Sequence, residues 1–195
     1  MNTPSHLIMT AALRRAVPHV PIRTSAFLLG AVAPDLALYG LSVAGMGYYR
    51  LVQGWTMDAS FRYIFDVLYF QNRWWMAAHN LLHAPFVLLA ILALAWRWRS
   101  SVGTKAHWLW WFASACLLHT SVDILTHHND GPLLLFPFEW TTRFSSPVSY
   151  WDPNHYGKIF SIFELGLDLV LLVFLVRPRA IRWLAARRAR VDDVE

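Results

Sequence analysis

The sequence is poor in charged residues and in cysteine, and both shortages limit what the protein can be. Charged residues make up 15% of the 195 residues, against roughly 25% in ordinary soluble domains. The single cysteine, Cys116, lies inside an apolar run, so the chain has no intramolecular disulfide and its redox compartment is not indicated. The N-terminus does not resemble a secretory signal, because its apolar stretch is short and is followed, not preceded, by Arg14 and Arg15.

Hydrophobic residues are abundant instead, at 56%, and eleven tryptophans favour a membrane–water interface. Four segments are apolar enough for a bilayer core, which needs about 20 helical residues. They cover approximately residues 26–47, 75–98, 107–126 and 159–176. The second segment has tryptophans at both ends, about 22 residues or roughly 33 Å apart. The sequence therefore predicts one all-α domain over residues 1–195, a polytopic membrane helix bundle of about four spans; a soluble all-helical protein is the alternative.

A shorter helix is predicted ahead of the first span, over residues 5–17. Ser5 is its predicted N-cap, and Pro18 and Pro21 end it. Because this helix is too short to cross a bilayer comfortably, we expect it to form a hairpin with the first span.

The basic residues are unevenly distributed between the two ends of such a bundle. If the helices alternate in direction, 12 of the 17 basic residues fall at one end. They are Arg14, Arg15, Arg23, Arg97, Arg99, Lys105 and the six arginines of a tail over residues 177–195. The positive-inside rule makes this end cytoplasmic. The net charge of +5 is then a topogenic signal, so we expect membrane lipid and no nucleic acid as a partner.

Histidines and aspartates lie inside the predicted spans, where lipid does not tolerate them. His79 and His83 begin the second span, four residues apart and so on one helical face. His119, Asp123 and His127 end the third span at the same spacing. Since these two helices run antiparallel, the beginning of one lies beside the end of the other.

The N-terminal hairpin adds two more such residues, since His6 begins one helix and Asp35 lies far along the next. All are predicted at the end opposite the arginines. Intramembrane aspartate is costly and is usually paired or functional. Mixed imidazole and carboxylate ligands suit zinc, manganese, iron or nickel. The candidate metal ligands are His6, Asp35, His79, His83, His119 and Asp123. Six exceed one tetrahedral site, so either some support the ligands or two ions share a carboxylate.

Two further acidic residues, Glu164 and Asp168, share a face of the last span. They could pair with a ligating histidine, act as a general base, or bond to nearby donors, and a structural role is favoured. The connection after His127 contains polar and aromatic residues suited to substrate contact, although for most of them a packed loop is the favoured reading. They are His128, Asn129, Asp130, Arg143, Trp151, Asp152 and His155.

Several short motifs resemble a known family when taken in order. They are Pro4-Ser5-His6, Ala33-Pro34-Asp35, His79-Asn80-Leu81-Leu82-His83, residues 119–126 from His119 to Thr126, and residues 131–138 from Gly131 to Phe138. Together they are similar to the bacterial inner-membrane metal-dependent hydrolases. That family includes a protein regulated by the LexA repressor and has a remote likeness to zinc-dependent phospholipase C. The resemblance covers about residues 4–140.

The resemblance implies metal ligation by the same six residues. The second motif departs from the family pattern, in which two histidines are separated by four residues that include Arg-Gly, with a serine following. Here the gap is three, Asn80 stands in place of the arginine and Ala84 in place of the serine. The departure puts one of the two histidines, His79 or His83, in question as a ligand.

The leading hypothesis is a metal-dependent hydrolase of the inner membrane with its site toward the extracytoplasmic side. One or two divalent ions, zinc first among them, would activate water against an ester or phosphoester of a lipid or lipid-linked substrate. Asp123 or Glu164 is the predicted general base. The alternatives are a non-enzymatic membrane protein that binds or transports a metal, and a haem-b protein with axial ligands such as His79 and His119.

Overall fold

Helices make up all the regular secondary structure of the part of the chain that the structure describes. The structure is a computed structural model that describes the backbone of residues 1–192 and the side chains of residues 1–177. The helices are α1 (Thr3–Ala16), α2 (Thr24–Gly30), α3 (Ala33–Gly47), α4 (Met57–Arg62), α5 (Tyr69–Gln71), α6 (Arg73–Asn80), α7 (Pro85–Ala95), α8 (Lys105–Thr126) and α9 (Gly157–Asp192). Short π-helical turns follow α3 and α4, at Tyr48–Val52 and Tyr63–Leu68, and 3₁₀ turns form at Trp96–Trp98 and Pro153–His155. The predicted all-α class is confirmed.

The first two predicted spans are broken in the middle. The first consists of α2 and α3, which meet at 46°, and the second of α6 and α7, which meet at 43°. A proline lies in the first turn of the second helix of each pair, Pro34 in α3 and Pro85 in α7. Proline has no amide hydrogen and restricts the residue before it, so the helical hydrogen bonds stop there. Each break therefore leaves irregular backbone inside an apolar segment.

One helix in the described residues, the Gly157–Arg177 part of α9, is long and apolar enough to cross a membrane by itself. The number rises to three if each bent pair is counted as one span. The prediction of four spans is therefore not confirmed. The difference lies at α8, whose 22 residues cover about 33 Å. Its polar side chains, among them Lys105, His119 and Asp123, lower its hydropathy.

Helix α8 lies at the centre of the packing, with α2 and α7 against it. Its small buried residues, Ala113, Ala115 and Cys116, allow the neighbouring backbones to come close, which is how helices associate in lipid. Gly30 of α2 makes the closest approach, because a Cβ there would lie 2.8 Å from the Cβ of Ala115.

The N-terminal helix begins earlier than predicted. It starts at Thr3 with Asn2 as its N-cap, so the prediction that Ser5 caps it is wrong. The physical reason is Pro4, which suits the first turn of a helix and places Ser5 inside it. Helix α1 contacts α2, the predicted hairpin partner, but it packs chiefly against α9.

The turns that carry basic residues meet at one end of the molecule. The ring of His107, at the start of α8, contacts the carbonyl oxygens of Arg99 at 2.6 Å and Pro21 at 3.0 Å. At the same end Arg15 donates to the Leu175 carbonyl of α9 at 2.6 Å. The basic tail predicted over residues 177–195 lies, apart from Arg177, outside the residues whose side chains the structure describes.

Candidate metal centre

Asp123, one turn before the end of α8, is the centre of a buried cluster of imidazoles. Its Oδ1 lies 2.9 Å from His6 Nε2. Its Oδ2 lies 2.9 Å from His83 Nε2 and 3.0 Å from His119 Nε2. All four side chains are at most 3% exposed. Three histidines, from α1, the break between α6 and α7, and α8, therefore converge on one carboxylate.

Asp35 adds a second carboxylate to this cluster. Its Oδ1 lies 3.4 Å from His119 Nε2, and its Oδ2 accepts a hydrogen bond from the Thr3 hydroxyl. One ligand atom from each of Asp35, His83, His119 and Asp123 lies within 4.8 Å of the others, close enough to hold a metal ion. We refer to these four residues as the metal cluster.

The helix breaks explain why these residues meet. Asp35 lies in the first turn of α3, directly after the first break, and His83 lies within the second break. The first break also frees the carbonyl of Ala31, which accepts a hydrogen bond from His119 Nδ1 at 2.8 Å. Irregular backbone at membrane depth is tolerated where it is buried in protein or lines a cavity. The breaks therefore bring ligand atoms from two segments to the end of α8.

The hydrogen bond from His119 Nδ1 to the Ala31 carbonyl determines the role of the other ring nitrogen, Nε2. In a neutral imidazole only one nitrogen carries hydrogen, so Nε2 then presents a lone pair. That lone pair faces oxygens of Asp35 and Asp123 at 3.4 and 3.0 Å. Three acceptors facing each other need a cation, either a second proton on the ring or a metal ion between them. A ring nitrogen held by a backbone carbonyl while the other binds metal is the usual arrangement of ligating histidines, so the residues present fit a divalent ion.

The two remaining predicted ligands are adjacent to the cluster. The His6 ring stacks on His119 with centroids 3.7 Å apart and contacts Asp123. The His79 ring lies 4.6 Å from that of His83, and its Nε2 is 3.3 Å from the Tyr69 hydroxyl. The prediction that they share one helix face is wrong, because α6 ends at Asn80 and His83 lies in the turn after it. Only His83 belongs to the metal cluster.

The metal cluster opens onto a cavity of about 780 Å³, to which Asp35, His83 and Asp123 contribute lining. This volume lies within the ≈ 300–1,000 Å³ range of small-molecule sites. One wall comes from the connection between α3 and α6, where Phe61, Phe65 and other aromatic side chains line it. A second wall comes from the connection between α8 and α9, over residues 127–132 and 149–152.

Glu164 and Asp168 hold the first turn of α1. The Glu164 carboxylate accepts hydrogen bonds from the backbone and side-chain nitrogens of Asn2, both at 2.7 Å. Asp168 accepts from the Ser5 hydroxyl at 2.6 Å. Neither carboxylate lines the cavity. These contacts position the helix that carries His6, while the catalytic role predicted for Glu164 stays a prediction.

The connection after α8 brings several of its predicted contact residues to the cavity, where His128, Asp130, Trp151 and Asp152 line it. Trp151 Nε1 donates to Asp130 at 2.7 Å, and the rings of His128 and His155 stack with centroids 3.5 Å apart. The hydrogen bond from His155 to Asp152, at 2.8 Å, lowers the pKa of that carboxyl below its usual value.

Of the other predicted residues of this connection, His155 lies outside the cavity lining and Asn129 lines the cavity. Arg143 does not, because its guanidinium donates to the Gly131 carbonyl and lies over the rings of Tyr69 and Phe70.

Sequence reasoning missed three residues that make contacts at the centre of the site. The amino group of Met1 donates to Asp123 at 2.9 Å and to Thr126 at 2.7 Å. The Thr3 hydroxyl bonds to Asp35, and Tyr69 contacts His79. No local pattern marks these residues, since each reaches the site only through the packing of α1 and of the α3–α6 connection.

An all-helical chain with one long apolar helix, two broken apolar segments and a buried His/Asp cluster defines a helical membrane protein with a candidate metal centre. The chain belongs to the YdjM inner membrane protein family, whose model matches residues 1–189. This match supports the inner-membrane part of the resemblance and carries no statement about hydrolysis. Comparison with curated proteins and with solved structures gives no match.

Proposed function

We propose that this protein is a membrane-embedded hydrolase that uses a divalent metal ion, held by Asp35, His83, His119 and Asp123, to cleave an ester or phosphoester. The observation that carries the proposal is His119 Nε2, whose neutral form would present a lone pair to two carboxylate oxygens beside a cavity large enough for a substrate. Zinc is the first candidate, because two imidazoles and two carboxylates are among the ligands it prefers.

The bound ion would act as a Lewis acid and lower the pKa of its water toward about 7. His119, held by its hydrogen bond to the Ala31 carbonyl, and His83 would orient the ion. His6 would hold Asp123 in place. The more exposed cluster carboxylate is Asp35, at 18% for the side chain against 3% for Asp123. That difference favours Asp35 over the predicted Asp123 and Glu164 as the group that accepts the proton of the attacking water.

Metal content of the purified protein tests the first half of the proposal. We expect close to one or two equivalents of a divalent metal in the wild type and a loss of at least tenfold in the double variant His119→Ala/Asp123→Ala. His19→Ala is the matched control, because His19 is exposed at the basic end, and it should keep its metal. Asp35→Asn, at a half-buried position, serves if the double variant does not fold. Near-zero metal in the wild type would remove the basis of the proposal.

Activity tests the second half. Wild-type protein reloaded with zinc, manganese or iron should hydrolyse at least one substrate in a panel of carboxylesters and phosphoesters. Because Asp35 is also a proposed ligand, Asp35→Asn is compared at equal metal occupancy, where it should lower the rate by two or more orders of magnitude. Metal that is bound without any hydrolysis across the panel would favour the non-enzymatic alternative. An absorption spectrum of the same sample tests the haem alternative, which requires a Soret band.

A further inference from the structure

The cavity beside the metal cluster has an unusual balance of charge. Five carboxylates line it, those of Asp35, Asp66, Asp123, Asp130 and Asp152. No lysine or arginine is among its lining residues in the part of the chain that the structure describes. Met1 also lines the cavity, and its amino group pairs with Asp123. This amino group and one divalent ion in the metal cluster would together offset three of the five negative charges. The remaining potential attracts a cation and repels an anion.

Of the three carboxylates outside the metal cluster, Asp152 pairs with His155, whereas Asp66 and Asp130 have no ion-pair partner among the described side chains. Among the described side chains, the ion pair that involves an arginine joins Arg62 to Asp58. Asp58 does not line the cavity. Asp130 accepts one hydrogen bond from the Trp151 indole, and Asp66 is exposed. No second group of three or more metal-binding side chains forms around these carboxylates in the described part of the chain. An organic cation therefore fits them better than a second metal ion.

Aromatic side chains give the same cavity an apolar character. Tyr39, Phe65 and Trp151 line it together with other aromatic residues and Leu38. Aromatic faces attract an ammonium group through their quadrupole, and the same surface accepts an alkyl chain. The lining thus combines negative charge with apolar area.

Two buried histidines indicate that the cavity takes a ligand. The side chains of His79 and His83 both line it and are 5% and 3% exposed. The Nδ1 atom of each has no hydrogen-bond partner in the described part of the chain. A buried polar nitrogen without a partner costs free energy, and a ligand in the cavity can satisfy it.

We propose that the cavity binds an amphiphile whose polar end carries a positively charged amine, held by Asp66 and Asp130 and by the aromatic lining. This inference deepens the proposed function and rests on it for one point only, that the bound amphiphile is the substrate. The class includes lipids with an amine in the headgroup and excludes lipids whose headgroup is only anionic.

Binding of simple amphiphiles without an ester tests the proposal independently of hydrolysis. Full-length protein in a neutral maltoside detergent is titrated calorimetrically with octyltrimethylammonium, with octyl sulfate and with tetramethylammonium. We expect octyltrimethylammonium to bind at least tenfold more tightly than either of the others. Equal affinity for octyl sulfate would overturn the claim that the site prefers positive charge. Equal affinity for tetramethylammonium would overturn the claim that the ligand is an amphiphile.

Variants of Asp66 and Asp130 test whether these carboxylates cause the preference for the ammonium amphiphile. Asp66→Asn and Asp130→Asn keep the side-chain shape, and each should weaken octyltrimethylammonium binding by about fivefold, the upper range for one exposed ion pair. Asp58→Asn is the matched control, since Asp58 is exposed outside the cavity, and it should bind like the wild type. An unchanged preference in the double variant Asp66→Asn/Asp130→Asn would overturn the site. Because Asp66 is exposed, its single variant is expected to fold and provides the test if the double variant does not.

The probes contain no bond for a hydrolase to cleave. Ammonium binding without hydrolysis of any ester would contradict the proposed function alone. Hydrolysis with no preference for ammonium would contradict this inference alone.

Discussion

Asp123 is the residue on which the candidate site depends, because three histidines and the amino group of Met1 all contact its two oxygens. A buried carboxylate is retained only when its charge is compensated. The Met1 amino group supplies one positive charge at Asp123. The second carboxylate of the cluster, Asp35, depends on the imidazoles, which bind either a proton or a metal ion. This is why a His/Asp cluster at this depth is better explained by a bound cation than by packing alone.

Replacement of Glu164 distinguishes a role in positioning α1 from a role in catalysis. Its carboxylate is 3% exposed and accepts two hydrogen bonds from Asn2, so Glu164→Ala should destabilise the protein by about 2 kcal/mol. If Glu164 positions α1, the unfolding temperature should fall by several degrees and the retained metal should fall with it. A variant that unfolds and binds metal like the wild type but has lost activity would instead support the predicted catalytic role. Asp58→Ala, at an exposed carboxylate outside the site, is the control.

At the scale of helices, the contact between α2 and α8 determines where Ala31 and His119 lie. A methyl group on Gly30 would approach the Phe112 carbonyl as well as Ala115, and both belong to α8. We expect Gly30→Ala to separate the two helices and to cost about 2 kcal/mol, with weaker metal retention because His119 loses its carbonyl partner. Gly40→Ala is the matched control: no atom lies within 4 Å of its added Cβ, and a helical alanine is favoured over glycine. Equal unfolding temperatures for the two variants would contradict this packing argument.

The helices also show how much of the fold and of the site can be predicted from the sequence. Hydropathy and i, i+4 spacing predict an apolar helical chain with polar residues at one end of α6 and α8. They do not distinguish His79 from His83, because the spacing predicts both on one face, and the break that separates them depends on Pro85 and on packing. The wall around Phe65 and the contact of α1 with α9 depend on residues far apart in the chain, for which no local pattern exists.

At the scale of the whole molecule, the structure separates the basic turns from the metal cluster, and the positive-inside rule predicts which end faces the cytoplasm. His19 lies in the turn after α1 and Asn129 at the rim of the cavity, and both are exposed. In a Cys116→Ala background, we expect a membrane-impermeant maleimide to label Asn129→Cys in cells with a permeabilised outer membrane. His19→Cys should be labelled only after the inner membrane is opened, because its end carries the arginines. Cys116 is fully buried, so its replacement removes background labelling with little change to the surface. The reverse labelling pattern would place the cavity on the cytoplasmic side and would restrict its substrate to amphiphiles that reach that leaflet.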